Sequence, residues 1–173
     1  MAPNSHGTNR RDVDLGRMYE EHLPRVYGFF AFRLRPGPDA EDLTATTFER
    51  AMRNVHRYDP ARAGLATWLL AIAQNALIDH YRYVGRRPES TGDGVDLDAL
   101  PHLVRDHPVL GITPELEDAL AGLDERERQV IALRFGGELR AKEIAGLTGL
   151  SEANVHQILS RSLRRLRQAM PDR

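Results

Sequence analysis

The 173-residue chain contains no cysteine. Disulfides, thiolate metal sites and cysteine nucleophiles are thereby excluded, and the composition fits a reducing compartment. No run of about eighteen apolar residues occurs, the length a bilayer-spanning helix needs. The opening, MAPNSHGTNRRDVDLG, is polar and lacks an apolar signal core. Seven histidines are present, but none falls in a His-Glu-x-x-His arrangement, and neither a glycine-rich phosphate loop nor a nucleophile motif is found. These gaps argue against catalysis, against a metal or organic cofactor and against membrane insertion. They predict a protein of the cytoplasm.

Net charge is almost absent too, at −1, but the total hides a strong asymmetry. Residues 1–87 sum to +3, residues 88–113 to −4 and residues 114–173 to zero. An acidic middle therefore separates two segments in which basic residues are locally concentrated. No strand-like alternation and no internal repeat is present, so the chain reads as all-α.

Helix signals are clear in five places ahead of residue 141. Met18, Tyr19, Leu23, Val26, Tyr27, Phe30 and Leu34 recur at three-to-four intervals, with Pro24 expected to kink the helix. Asp39 is a natural N-cap for a helix over AEDLTATTFERAMRNV. HRYDPARAGLA reads as a loop, after which Thr67 is expected to open an apolar helix that turns basic at its end. Thr113-Pro114-Glu115 gives the favoured cap-then-proline start of a helix, and Asp124 with Glu127 forms a capping-box pattern for the next. Between them, residues 88–113 carry proline, glycine and acids without periodicity, too long for a routine connection inside one compact domain. The expected organisation is a disordered leader over 1–14, a helical module over 15–87, a flexible acidic linker over 88–113 and a second helical module over 114–173.

The stretch AKEIAGLTGLSEANVHQILS, residues 141–160, carries the strongest chemical hint. Ile144 and Ala145 lie on the inner side of a short helix opened by Arg140 or Ala141. Gly149 supplies a left-handed terminator without steric cost. Ser151 caps a second helix, with Val155, Ile158, Leu159, Leu163 and Leu166 on its apolar stripe. Two helices around a glycine turn form either a hairpin in a bundle core or a helix-turn-helix whose second helix enters the DNA major groove. From Ala153 to Met170 the charged residues are Arg161, Arg164, Arg165 and Arg167, with no acid among them. A solvated helix ordinarily mixes signs. Basic charge alone suits a polyphosphate, because each neutralised phosphate releases counterions. Attraction to the helix C-terminus explains one or two such arginines better than four.

In order and spacing, these segments resemble the bacterial sigma factors of the extracytoplasmic-function (ECF) type, over about residues 15–87 and 115–170. MYEEHLPRVY is similar to that family's opening, and DAEDLTATTFERAMRN to its polymerase-clamp helix. TWLLAIAQNALIDHYR resembles its promoter-melting helix, and LDERERQVIALRF with the helix-turn-helix its second DNA-binding domain. The resemblance implies core RNA polymerase (its beta and beta-prime subunits), promoter DNA and an anti-sigma factor as partners, with association with the nucleoid when polymerase-bound. It implies polymerase contact by Asp42, Phe48, Glu49 and Arg53. It assigns the promoter −10 element to Tyr58, Asp59, Arg62, Asn75, Asp79, His80, Arg82, Arg86 and Arg87. The −35 element falls to His156, Gln157, Ser160, Arg161, Arg164 and Arg165, with Arg165 at the phosphate backbone and Arg161 with Gln157 at base edges. Trp68, beside Leu69, Leu70 and Ile72, reads as core rather than as a stacking platform. The chain departs from the family pattern at Ala45, Thr46, Gln74, His156 and Ile158. The rival class is a stand-alone regulator that uses the helix-turn-helix on an operator; it requires an N-terminal sensor or dimerisation module, which residues 15–87 do not resemble.

Overall fold

A computed structural model describes residues 13–85 and 111–170. The leader up to residue 12, nearly all of the acidic linker, and Arg86 and Arg87 lie outside the described residues. Among the described residues every regular element is helical: α1 (Leu15–Leu34), α2 (Pro38–Asn54), α3 (Leu65–Gly85), α4 (Pro114–Ala121), α5 (Glu125–Ile131), α6 (Ala141–Thr148) and α7 (Glu152–Ala169). A short 3₁₀ turn, Val55–Arg57, follows α2, and a π turn, Ala132–Gly136, continues α5.

The first module is a bundle of α1, α2 and α3. Asp14 caps α1 by accepting the Arg17 amide at 3.1 Å. The helix runs unbroken through Pro24, which lies on its exposed side. The second helix starts two residues earlier than an Asp39 cap implies. Pro38 takes the first helical position, where its fixed φ fits and no N–H is needed, so Asp39 sits within the first turn rather than capping it. Gly37, at φ 150°, makes the corner before it. Helix α3 likewise begins at Leu65 rather than Thr67, with the Trp68 amide already donating to the Gly64 carbonyl at 3.0 Å. Inside the bundle, the buried hydroxyls of Thr44 and Thr47 donate to the carbonyls of Ala40 and Leu43 one turn back, at 2.6 and 2.7 Å. These bonds satisfy polar groups that would otherwise be costly to bury.

The second module follows its local signals closely. Thr113 caps α4 with Pro114 in the first turn, and Asp124 and Glu127 form a reciprocal capping box on α5. Gly149 adopts φ 72° and closes α6, its amide donating to the Ala145 carbonyl at 3.0 Å. Ser151 then caps α7 by accepting the Asn154 amide at 3.2 Å.

The two modules, expected to hang on a tether, are packed together. A single buried apolar cluster extends from Met18 in α1 through Leu70 and Leu133 to Leu166 in α7. Where the π turn crosses α1, Gly136 is so close to Gly28 that a Cβ on Gly136 would lie 2.5 Å from the Gly28 carbonyl carbon. Polar links ring this seam. Arg33, its side chain 3% exposed, pairs with the Glu125 carboxylate and also donates to the Glu125 carbonyl at 3.3 Å. Arg25 pairs with Glu138 at 3.1 Å, and the Thr67 hydroxyl donates to Glu143 Oε1 at 3.1 Å.

Candidate nucleic-acid interface

Helix α7 presents two chemically distinct sides. Val155, Ile158, Leu159, Ser162 and Leu166 are buried against the rest of the module. His156, Gln157, Ser160, Arg161, Arg164 and Arg165 are all exposed, so the expected −35 residues share the solvent side of one helix. The Ile158 departure has a packing reason: at 4% exposure it belongs to the core. His156 Nε2 lies 3.9 Å from Glu152 Oε1 one turn earlier.

Two of these arginines converge on one acid that the sequence reading treated only as a helix cap. Glu127, 1% exposed, accepts Arg161 Nε at 3.0 Å through Oε1. Its Oε2 accepts Arg165 Nη1 at 2.5 Å and the Asp124 amide at 3.1 Å. Arg165 Nη2 goes further, to the Gly122 carbonyl at 2.7 Å. Charge-assisted bonds of this kind are among the stronger protein hydrogen bonds. Arg165, expected at the phosphates, is therefore occupied in fastening α7 to the start of α5, and Arg164 is the freer cation.

On the first module, the end of α2 and the middle of α3 enclose a cavity of about 300 Å³ lined by Arg50, Asn54, Arg57, Trp68, Ile72 and Asn75. Arg50 Nη1 donates to Asp79 Oδ2 at 2.9 Å, tying the two helices across its rim. Asn54 Nδ2 donates to the Arg50 carbonyl at 2.8 Å. Trp68, read as core from its neighbours, is only partly buried and forms a cavity wall. The Tyr58 ring packs on it with centroids 5.2 Å apart. Burial, reinforced by the Asp59 charge, pushes the Tyr58 hydroxyl above its ordinary pKa, so it stays a neutral donor. Asp59 Oδ1 accepts the Ala61 amide at 3.0 Å, shaping the loop that carries Arg62. Asn75 reaches the cavity. Asp79 is committed to Arg50, and His80 packs its ring against Tyr81 at 6.0 Å. Arg82 is exposed on the last turns of α3.

The residues expected to meet polymerase divide similarly. Asp42 is exposed, and Glu49 pairs with Arg53 at 2.5 Å along the solvent side of α2. Phe48 does not join them. It is 2% exposed and meets Tyr19 edge-on at 4.8 Å, so its contribution is to seat α2 on α1. Sequence reasoning missed Arg50, Asn54 and Arg57 at the cavity; their spacing of four and three places them on one side of a helix end, which is a readable signal. No group of three potential metal ligands occurs among the described residues, nor does any described helix have the length and apolarity to cross a membrane.

Residues 18–87 match the family described as Sigma-70 region 2, and residues 119–168 match Sigma-70, region 4. The chain is 30% identical over 156 residues to the RNA polymerase sigma factor CarQ of Myxococcus xanthus, covering 88% of this chain and 87% of that protein. It is 29% identical over 159 residues to the ECF RNA polymerase sigma factor BldN of Streptomyces coelicolor, covering 91% of this chain but 60% of that longer protein. Its fold is similar to that of the sigma factor RpoE of Bartonella quintana, solved with the anti-sigma factor NepR, with a TM-score of 0.69 at 21% identity over 92% of this chain and 99% of that one.

Proposed function

Because the chain belongs to the extracytoplasmic-function sigma factors of the sigma-70 family, we propose that it binds core RNA polymerase and directs it to a particular set of promoters. It acts as an initiation factor in the cytoplasm and not as an enzyme. Helix α7 lies in the major groove of the −35 element, and the first module receives the −10 element. The observation that carries this reading is the pairing of two sites on one chain: a helix-turn-helix whose second helix exposes only basic charge beyond Glu152, and a polar cavity with an aromatic wall.

The cavity suits promoter opening. A base leaving the duplex must be compensated for lost stacking and pairing, through an aromatic surface and hydrogen bonds to its edge. Trp68 and Tyr58 offer the surface, while the Asn54 and Asn75 amides offer donors and acceptors. Arg57 lies where a phosphate beside the extruded base passes. Asp42, Glu49 and Arg53 form the charged side of α2 toward polymerase. An anti-sigma factor holds the protein inactive until it is needed, as the complex with NepR illustrates for a structural relative.

The test is reconstituted transcription. Purified protein added to core polymerase is expected to yield discrete transcripts from a genomic promoter library, with DNA melted just upstream of each start. An operator-binding regulator of the same fold would bind DNA without core enzyme and produce no transcript. Failure to form a complex with active core polymerase at low salt would refute the proposal.

A further inference from the structure

Glu127 completes the capping box of α5, but neither a helix cap nor a core residue requires the two arginines of α7 that meet its carboxylate. A carboxylate 1% exposed is costly to bury unless it is fully compensated. Beside the Asp124 amide that Oε2 caps, the compensation comes from two side chains of α7, 34 and 38 residues further along the chain. An apolar residue at this position would have filled the space without that arrangement, while the cap on α5 is already served by Asp124 accepting the Glu127 amide at 2.8 Å.

We infer that Glu127 is a positioning residue for duplex recognition by α7: it orients Arg161 toward a guanine edge and withdraws Arg165 from the phosphate backbone. This inference rests on the reading of α7 as the helix that enters promoter DNA. Arg161 is gripped only at Nε; its Nη1 and Nη2 make no hydrogen bond among the described residues, and its side chain remains 59% exposed. A guanidinium restrained at Nε keeps its two terminal nitrogens as a planar fork, the geometry that matches O6 and N7 of guanine. Little further ordering is then needed when DNA arrives. Arg165 is treated oppositely. Nη1 and Nη2 are both committed, to Glu127 and to the Gly122 carbonyl, and its charge is balanced at close range. One acid thus sorts two neighbouring arginines into a base reader and a fastening.

The experiment uses holoenzyme reconstituted from the full-length protein, and a pool of promoter duplexes randomised across the upstream element. Wild type, Glu127→Gln and Arg161→Ala are each allowed to select sequences, and salt titrations are run on one scrambled duplex. Both variants are expected to lose preference at the same single guanine position, by about tenfold, with the rest of the motif retained. Glu127→Gln is further expected to steepen the salt slope on scrambled DNA by about 0.9, because Arg165 is released to a phosphate; Arg161→Ala is not. A merely structural role would flatten preference evenly at all positions and leave the slope unchanged. Either that result or an unaltered motif overturns the inference. Should Glu127→Gln fail to fold, Glu127→Asp keeps the charge, draws the carboxylate back by one methylene, and must lose the same position. A wild-type holoenzyme that enriches no sequence would instead overturn the promoter reading beneath it.

Discussion

Gly136 and Gly28 meet backbone to backbone, with room for no side chain between them: a Cβ on Gly136 would stand 2.5 Å from both the carbonyl carbon and the oxygen of Gly28 and 2.7 Å from the Phe29 amide. The atoms in the way are main chain of α1, which cannot rotate aside as a side-chain tip would. This approach lets the π turn sink against α1 and brings the apolar surfaces of both modules into one core.

Gly136→Ala is therefore expected to destabilise the folded chain by about 1–3 kcal/mol, the usual cost of overpacking a tight contact. Gly146→Ala is the control, since among the described residues nothing lies within 4 Å of the Cβ it would add, in a helix where alanine is favoured. That variant should be neutral or more stable by a few tenths of a kcal/mol to about one. Urea unfolding followed by circular dichroism measures both. Equal stability of the two variants would show that the approach of Gly136 to Gly28 accommodates a methyl group.

The pairing of these glycines illustrates where sequence reasoning stops. Gly149, Ser151, Thr113 and Asp124 were legible because a cap is settled within four residues by hydrogen bonds to its own backbone. The same locality explains the small errors: Gly37 and Pro38 displaced Asp39 as the start of α2, a competition between neighbours of similar strength. Contacts such as Gly28–Gly136, Arg50–Asp79 and Glu127–Arg161 join residues far apart in sequence, so they depend on how helices pack and leave no periodic trace. Charge patterning picked out the solvent-facing side of α7 but had no means of telling a free arginine from a bound one. Phe48 failed for a related reason: a face of α2 rich in charge also carries its anchor into the core.

A pH dependence follows from His22. Its imidazole is held below its ordinary pKa, first by burial and then by the nearby Arg25 charge, with Glu21 acting in the opposite direction. Its Nδ1 is buried without a hydrogen-bond partner among the described residues. The fold thus favours the neutral ring, and the unfolded chain binds the proton more readily. The stability that this group contributes is complete above the unfolded value, about 6.5, and is lost as pH falls from there through the lower folded value. Thermal melts between pH 7.5 and 5 should show wild type losing more stability than His22→Gln. Parallel curves for the two proteins would rule out His22 as the source.

Variants at the cavity between α2 and α3 are expected to separate melting from docking. Asn75 is exposed and lines the cavity wall, so Asn75→Ala should leave folding within about 0.5 kcal/mol of wild type. Loss of one edge contact to an extruded base is expected to cost about 1–3 kcal/mol in open-complex stability. Permanganate reactivity of unpaired thymines reports the opening, and gel retardation of holoenzyme on duplex reports the docking. Trp68→Leu should show the same division if Trp68 is a stacking wall, whereas a purely structural tryptophan would lower folding stability and leave the opened fraction of folded holoenzyme unchanged.

The arginines of α7 divide by what already holds them. Arg164 is exposed, with no hydrogen bond among the described residues, so Arg164→Ala should weaken every duplex about equally and lower the salt slope by about 0.9. Arg165 has two nitrogens bound to Glu127 and Gly122, with its side chain 47% exposed. Arg165→Ala should leave the slope almost unchanged and act on the fold instead. It removes one of two cations compensating a carboxylate that is 1% exposed, and after allowing for the exposure of Arg165 itself a cost of about 1–2 kcal/mol is expected. Arg161→Ala should cost about 1–3 kcal/mol on a cognate −35 duplex and far less on a scrambled one. Titrations of the three variants on both duplexes at several salt concentrations, paired with thermal melts, give each arginine its own signature. If Arg165→Ala lowered the slope as much as Arg164→Ala while melting like wild type, its bond to Glu127 would have to be given up whenever DNA is bound.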